Sequence, residues 1–554
     1  MKKAGLVPAL SCLELEMLLP SCATYDETMR RFQWVIPQRF NIGVAVADVW
    51  AAHEPQRPAI LDLKGGALAT LTFGELRAQS NRLASSLRKA GVARGDRVAI
   101  LLPQMAEVVV SHVAIYKLGG VALPLASLFG ADALEYRLQD AGVRAIITDA
   151  AGLAKIAPIR AALPDLQIIV STDGADGSAL SFVQLIEQGA EDFIAEDTSP
   201  DDPAMMIYTS GTTGPPKGAL HGHRVLLGHL PGVQFPHEGF PQEGDRFWTP
   251  ADWAWAGGLL NVLLPSLYFG VSVVARRFDR FDPEAALDLI TRLQVRNAFI
   301  PPTALRMLRS VHVRGRRYEH KLRTLASGGE SLGAEIYDWG RDAFGLTINE
   351  FYGQTECNLV LASCHALGVS RAGAIGKAVP GHVCDVIRAD GTRCEPDEPG
   401  QIAVLRPDPV MFLGYWNREQ ATRDKFLGDW MTTGDQGRRD ADGYVFFFGR
   451  DDDVISSSGY RIGPGEIEDC LLKHPAVQLA AAVGKRDAIR GEIVKAFIVP
   501  KAGFAPSPEL ASDIQSFVRE RLSAHEYPRE VAFIDQMPLT TTGKVIRRIL
   551  RDQA

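Results

Sequence analysis

From about Phe40 onward the chain alternates short apolar runs with longer stretches whose apolar residues recur every three or four positions. Phe73–Lys89 has that helical spacing, and Arg97–Leu102 after it is a short, β-branched, nearly all-apolar run that predicts a strand. Ala106–Leu118 predicts a second helix, closed by Gly119 and Gly120. Arg144–Thr148, Leu166–Val170 and Ala204–Ile207 predict further strands. The alternation continues with a strand at Ser272–Ala275, a helix at Pro283–Leu293, a strand at Ala298–Ile300 and a helix at Pro302–Leu308. Apolar strands separated by helix-length segments predict parallel sheets covered by helices on both faces.

Between about Val383 and Phe448 the period shortens. Asp385–Arg388 followed by Ala389-Asp390-Gly391-Thr392, and Asp440-Ala441-Asp442-Gly443 followed by Tyr444–Phe448, are hairpin signals. They predict a small antiparallel β subdomain. After three consecutive aspartates (Asp451–Asp453) and a Gly-rich stretch, the last hundred or so residues read αββαβ: Pro464–Lys473, Gln478–Val483, Val494–Val499, Glu509–Leu522 and Glu530–Ile534. The expected organisation is therefore α/β. An extension (1–39) precedes a large domain (40–451) of two α/β sheet subdomains plus a β subdomain at about 383–448, and a small, mobile α+β C-terminal domain (452–554) follows.

Composition adds exclusions. The 554 residues are 46% hydrophobic and 23% charged, ordinary for a globular protein, and the net charge of −7 with no basic stripe argues against a nucleic-acid partner. Seven cysteines (Cys12, Cys22, Cys357, Cys364, Cys384, Cys394, Cys470) are odd in number and scattered, which suits reduced thiols and a cytoplasmic location. The N-terminus starts basic, but Glu14 and Glu16 break its apolar run, so it reads as an extension and not a signal peptide. Residues 254–275 carry no charge, yet Asn261, Pro265 and Gly270 interrupt them, so a buried helix–strand pair is expected and no membrane span.

Two stretches carry candidate chemistry. In Tyr208–Gly218, residues Thr209, Ser210, Gly211, Thr212, Thr213 and Gly214 can turn backbone N–H groups and hydroxyls towards one phosphate, and Lys217 adds a point charge. Pro216 and Gly218 exclude a Walker A loop, which needs Gly before the Lys and Ser or Thr after it. The second stretch, Gly329-Glu330-Ser331-Leu332-Gly333, fits a hydrolase nucleophile elbow with Ser331, for which Asp435 and His474 are possible downstream partners.

The phosphate-loop sequence resembles, position for position, that of the acyl-adenylate-forming superfamily. Four further segments agree with it: Glu350-Phe351-Tyr352-Gly353-Gln354-Thr355-Glu356, Thr433-Gly434-Asp435, Gly449-Arg450 and Pro538–Lys544. The motifs span roughly residues 40–550, so the resemblance covers nearly the whole chain. It implies an ATP site formed by the loop together with Gly328, Gly329, Glu330 and Glu350–Thr355. Tyr352 would stack on adenine, Thr355 and Thr213 would meet the phosphates, and Asp435 and Arg450 would hold the ribose. Glu356 would be a ligand of Mg²⁺. Asp452 would be the hinge, and Lys544 the lysine that reaches the α-phosphate and substrate carboxylate.

Phe32–Asn41, Ser458-Gly459-Tyr460-Arg461 and Arg490–Phe497 are similar to medium-chain acyl-CoA synthetases, with acetyl and benzoyl ligases as relatives. That implies CoA contacts at Ser458, Gly459, Tyr460, Arg461 and Arg490, and an acyl pocket around Trp253, Trp255, Gly257 and Gly258. Trp253 stands where such enzymes often have a small residue, and Glu526 stands where they tend to carry Lys. The activity implied is ATP-dependent formation of acyl-AMP from a medium-chain or aromatic acid, then transfer to CoA, by a monomer or homodimer. Loading of a carrier-protein phosphopantetheine, and hydrolysis by Ser331, remain alternatives.

Overall fold

The computed structural model describes residues 19–64, 66–175, 177–209, 215–278, 280–311, 318–450, 453, 455–457, 460–487, 491–521, 527–540 and 543–554. Two large sheets form the body. One has eight strands, in the spatial order Gly414–Tyr415, Lys217–Gly222, Pro203–Thr209, Val121–Pro124, Arg97–Leu101, Ala145–Thr148, Ile168–Ser171 and Leu180–Ser181. The other has nine, running from Lys377–Ala378 through Cys357–Ala362, Ile348–Gln354, Thr324–Gly328, Asn297–Phe299, Arg246–Trp248, Ser272–Ala275 and Pro58–Lys64 to Ala67–Thr72.

The strands expected to be parallel are parallel, but the expectation of purely parallel sheets is corrected at the edges. Pro203–Thr209 pairs parallel with Val121–Pro124 on one side and antiparallel with Lys217–Gly222 on the other. Ile348–Gln354 likewise pairs parallel with Thr324–Gly328 and antiparallel with Cys357–Ala362. Each large sheet thus changes direction at a hairpin, and each of these hairpins carries at its turn one of the segments that the resemblance singles out. Where a sheet changes direction, strand ends leave a crevice that helices do not fill, and ligands bind in such places.

Helix Phe73–Lys89 shows why these sheets are well covered. Thr72 Oγ1 accepts from the Glu75 N–H (3.2 Å), and the Glu75 carboxylate accepts from the Thr72 N–H (2.8 Å), closing a capping box. Phe73, Leu76, Leu83 and Leu87 are fully buried on its inner face. The uncharged segment 254–275 is helical over 256–268, then enters strand Ser272–Ala275. Among the described residues no helix is long and apolar enough to cross a membrane. The six described cysteines are free thiols.

A third, antiparallel sheet closes over the crevice: Cys384–Ile387, Gly400–Leu405, Trp430–Arg439 and Phe426–Leu427, with Val445–Arg450 paired to Trp430–Arg439. The turn at Asp440–Tyr444 is the expected hairpin. The turn after Asp385–Arg388 forms as well: the Arg388 N–H donates to the Thr392 carbonyl (2.8 Å), the Cys394 N–H donates to the Val386 carbonyl (2.9 Å), and a bridge joins Ile387 to Arg393, while Cys384–Ile387 also pairs with Gly400–Leu405. The C-terminal unit contains the expected αββαβ elements and two additions: a hairpin of Ile455–Ser457 with Tyr460–Ile462, in the stretch read as a Gly-rich hinge, and a closing helix Arg547–Asp552.

Candidate active site

The second motif is built by close backbone approach. Strand Ile348–Gln354 turns back through Thr355 and Glu356 into Cys357–Ala362, with its register broken between Tyr352 and Gln354. A Cβ on Gly353 would lie 2.2 Å from the Leu359 nitrogen, so only glycine fits. Leu359 itself has φ of 60°, in the left-handed region that a bulky side chain normally avoids. The tight return lifts Tyr352, Gln354 and Glu356 towards the third sheet.

There they meet Asp435. Gly434 has φ of +75°, which bends the strand so that the Asp435 side chain turns into the crevice. Thr433 steadies the bend: its hydroxyl donates to the Ile402 carbonyl (2.6 Å) and accepts from the Asp435 N–H (3.1 Å). Asp435 is 4% exposed. Its Oδ2 accepts from the Tyr352 hydroxyl (2.5 Å) and from Gln354 Nε2 (2.7 Å), while Oδ1 faces Arg450 Nη1 at 3.7 Å. Burial pushes the Asp435 carboxyl up, and Arg450, Tyr352, Gln354 and Lys425 hold it down. One oxygen is thus occupied by protein donors, and the other is shared between a cation and the cleft.

Glu356, 7% exposed, accepts a very short hydrogen bond from the Tyr415 hydroxyl. Tyr415 lies on the short strand paired to Lys217–Gly222, and the Lys217 ammonium sits over its ring at 5.3 Å. The predicted metal ligand and the predicted phosphate-loop lysine therefore share one tyrosine. The loop between the hairpin strands, Ser210–Gly214, lies outside the described residues; its base is set by Thr209 paired with Lys217. Tyr136 donates to the Pro216 carbonyl (2.9 Å), and Tyr208 donates to Asp140 (2.7 Å).

Among the described residues no group of three or more His, Cys, Asp or Glu could hold a metal by itself. A single carboxylate still fits Mg²⁺, which keeps water and takes most remaining oxygens from substrate phosphates.

The Gly-rich turn follows strand Thr324–Gly328. A Cβ on Gly328 would meet the Phe351 ring at 2.5 Å, so the turn packs flat against the second motif. The Glu330 carboxylate accepts from Thr303 Oγ1 (2.9 and 3.0 Å) and pairs with Arg306 (3.1 Å). Glu350 turns its carboxyl to the Leu332 N–H (3.2 Å), which ties the turn to the motif strand. Burial, with Asp469 adding, pushes Glu350 up to about 8.

Lys544 arrives from the far end of the chain. Thr540 and Lys544 close a tight turn: the Thr540 N–H donates to the Lys544 carbonyl (2.7 Å) and the Lys544 N–H to Thr540 Oγ1 (3.0 Å), with Gly543 at φ +87° between them. A Cβ on Gly543 would sit 3.5 Å from Thr303, so the turn rests on the helix that also holds Glu330. Lys544 keeps exposed surface, yet protein crowds its amine and desolvation lowers its pKa. Glu330 and Asp435 pull it back up, and Arg450 adds to the lowering.

Other expected site residues are dispersed or lie outside the described set. Asp452, Ser458, Gly459, Arg490 and Glu526 are outside it, and Tyr460 and Arg461 are placed only as backbone in their hairpin. Next to the expected hinge, Asp453 pairs with Arg551 (2.8 Å) and Arg547 (3.5 Å), and Arg547 also holds Glu468 (2.7 Å). Trp253 and Trp255 do not share a wall. Trp253 is buried in the cluster that contains Phe299 and Phe351, whereas Trp255 meets Phe129 edge-on at 5.8 Å. A Cβ on Gly257 would lie 3.1 Å from Phe299, and one on Gly258 would lie 2.4 Å from the Asp252 carbonyl.

The hydrolase alternative finds no triad. Asp435 is committed as above, and His474 pairs with Asp513 (3.1 Å) in the C-terminal unit. Sequence reasoning missed Thr303, Arg306, Tyr415 and Lys425; each touches a motif residue but belongs to no motif itself.

The comparisons with known proteins agree with this geometry. Residues 47–416 match the family described as AMP-binding enzyme, and 466–544 match the AMP-binding enzyme C-terminal domain. The mitochondrial acyl-coenzyme A synthetase ACSM4 of Homo sapiens is 35% identical over 546 residues, covering 95% of this chain and 93% of that protein. The acetyl-coenzyme A synthetase of Bacillus subtilis is 32% identical, with 95% and 94% covered. Among solved structures, the anthranilate CoA ligase AuaEII in complex with anthranoyl-AMP superposes with a TM-score of 0.86 at 29% identity, covering 94% of this chain and 98% of that one. The chain belongs to the AMP-binding enzyme family, the adenylate-forming ligases that its motifs resemble.

Proposed function

We propose that this AMP-forming acid–thiol ligase joins an apolar carboxylic acid of medium size, aliphatic or aryl, to CoA in two steps. A carboxylate oxygen attacks the α-phosphorus of ATP, forming acyl-AMP and releasing pyrophosphate. The CoA thiol then attacks the acyl carbon, and AMP leaves with the electron pair of the broken C–O bond. The observation that carries this reading is that Asp435, Tyr352, Gln354 and Arg450 form one network at the second motif, on which the Gly328–Glu330 turn packs, while the C-terminal turn that bears Lys544 rests on Thr303, the partner of Glu330.

In this reading Asp435 Oδ1 and Arg450 receive the ribose, and Tyr352 offers its ring to adenine against the Gly328–Glu330 turn. Lys217 and the loop 209–214 hold the phosphates, and Lys544 bridges α-phosphate and carboxylate. Glu356, fixed by Tyr415, would hold Mg²⁺, whose charge would neutralise the phosphates. Such phosphoryl chemistry leaves the protein mainly positioning and charge stabilisation to supply. The remaining roles are Ser458–Arg461 and Arg490 for CoA and Asp452 for rotation of the 452–554 unit against 40–451 between the two steps, with the enzyme working in the cytoplasm.

For the acid, the packing of Gly257 against Phe299 and of Phe299 against Phe351, with Trp253 buried in the same core, supports a ring or chain beyond acetate. The anthranilate ligase relative supports an aryl acid, and the acetyl-CoA synthetase relative pulls the other way. CoA-dependent pyrophosphate release across straight, branched and aromatic acids tests the reading. A C4–C10 or aromatic acid should give the highest kcat/KM; acetate at the top would overturn the acyl assignment. Replacing CoA by a phosphopantetheinylated carrier should give less product; the reverse would favour carrier loading.

A further inference from the structure

Lys425 lies outside every motif. In sequence it sits in Arg423-Asp424-Lys425-Phe426, which reads as a solvated charged stretch. In the structure it is half-buried beneath the ATP crevice, on the strand-to-strand connection that leads into Trp430–Arg439. Its ammonium donates to Gln354 Oε1 (3.3 Å) and to the Thr432 carbonyl (3.0 Å). Both partners are neutral oxygens, a costly arrangement for a desolvated cation. Desolvation does lower the Lys425 pKa, with Arg450 and Lys217 adding and Glu356 and Asp435 opposing.

Position explains the cost. Gln354 is an amide with one accepting and one donating end, and its Nε2 donates to Asp435 Oδ2 (2.7 Å) and to the Thr433 carbonyl (2.7 Å). Turned over, the amide would set its own oxygen against the Asp435 carboxylate and against that carbonyl. The Lys425 cation at Oε1 forbids the turned form, because it would then face an NH₂ group. Thr432 and Thr433 are adjacent, so the lysine is itself anchored one residue from the carbonyl that Gln354 uses.

We infer that Lys425 is a positioning residue for the ribose end of the ATP site: it locks the Gln354 amide so that Asp435 keeps Oδ2 occupied and Oδ1 turned to a ribose hydroxyl. The inference rests on the ATP-site reading above. Without the lock, Gln354 rotates, Oδ2 loses a donor, and the carboxylate turns back towards Tyr352 and Gln354. The loss falls chiefly on the hydroxyl that Oδ1 accepts from, with a weaker, through-space effect at Glu356 and Lys217.

The test uses the full-length enzyme and three nucleotides: ATP, 2′-deoxy-ATP and 3′-deoxy-ATP. Lys425→Met should raise KM for ATP about ten-fold, the scale of one charge-assisted hydrogen bond, with kcat within about two-fold. The penalty that wild type shows for one of the deoxy nucleotides should shrink by a similar factor. Lys425→Arg, which can still donate to Gln354 Oε1, should restore both. Unchanged KM and unchanged deoxy discrimination in Lys425→Met would overturn the inference. So would a loss of kcat and Tm together without change in discrimination, since that marks a packing role. Calorimetric Kd values for the same nucleotides read the ribose contact without turnover, so a failure of the ligase reading is told apart from a failure of this one.

Discussion

The Asp435 half of the crevice and the Lys544 half are held in opposite ways. Around Asp435 almost every polar atom has a named partner within one buried network: Tyr352, Gln354, Thr433, Arg450 and, through Gln354, Lys425. Lys544 instead stands on a four-residue turn that rests on Thr303 and is drawn in by the charges of Glu330 and Asp435. The face around it is held by close approach of small residues and not by a hydrogen-bond network. Gly465 stands opposite Ser331, and a Cβ on Gly333 would meet the Asp469 carboxylate at 2.8 Å. A preorganised pocket suits the ATP that both steps need in place as adenylate. A lightly docked cation suits a group needed in only one step.

The largest expected effect breaks the lysine half. Lys544→Ala should lower acid-dependent pyrophosphate release about 10²-fold or more, as for removal of a preorganised charge partner. Given preformed acyl-AMP, the variant should still make acyl-CoA at near the wild-type rate. Equal loss of both half-reactions would show that Lys544 belongs with the rigid half.

A smaller effect concerns docking and pH. Burial raises Asp469 to about 6, with Glu468 and Glu335 adding and Arg306 and Lys473 opposing. Glu350, up to about 8, feels Asp469 across the same face. A carboxyl whose pKa is raised on docking binds more protons docked than free. Docking is therefore favoured at low pH and weakens as pH rises from about 4, the free carboxyl's range, through about 6. The rate of acyl-AMP formation relative to thioester formation should fall severalfold between about pH 5 and 7 in wild type. In Asp469→Asn that fall should flatten; an identical slope would remove Asp469 from the docking balance.

Which parts were legible in the sequence follows from the same contrast. Helix Phe73–Lys89, the parallel strands and the C-terminal αββαβ order were read from spacing alone, because the helix buries one periodic face and the parallel strands are short apolar runs buried on both faces. The two motif hairpins were not. Ala204–Ile207 is a continuous apolar run and Cys357–Ala362 is one but for Asn358, and such runs look alike whether the neighbouring strand is parallel or antiparallel. The motif residues themselves were legible through resemblance. Their supports were not: Tyr415 lies 59 residues from Glu356, and Lys425 lies 71 residues from Gln354. The hinge-side pairs of Asp453 with Arg547 and Arg551 span more than ninety residues and left no local signal.

The claim that one docked arrangement serves acyl-AMP formation and must be left for thioester formation can be tested by locking it. A Cβ on Gly465 would lie 3.9 Å from Ser331 Oγ, so the two positions face each other, and a rotation of the side chain at position 331 with a small approach of the backbones would let two cysteines join. In Ser331→Cys/Gly465→Cys, oxidation should leave single-turnover formation of acyl-AMP intact and stop transfer to CoA, and reduction should restore transfer. An oxidised, cross-linked enzyme that still makes acyl-CoA at the reduced enzyme's rate would contradict the account.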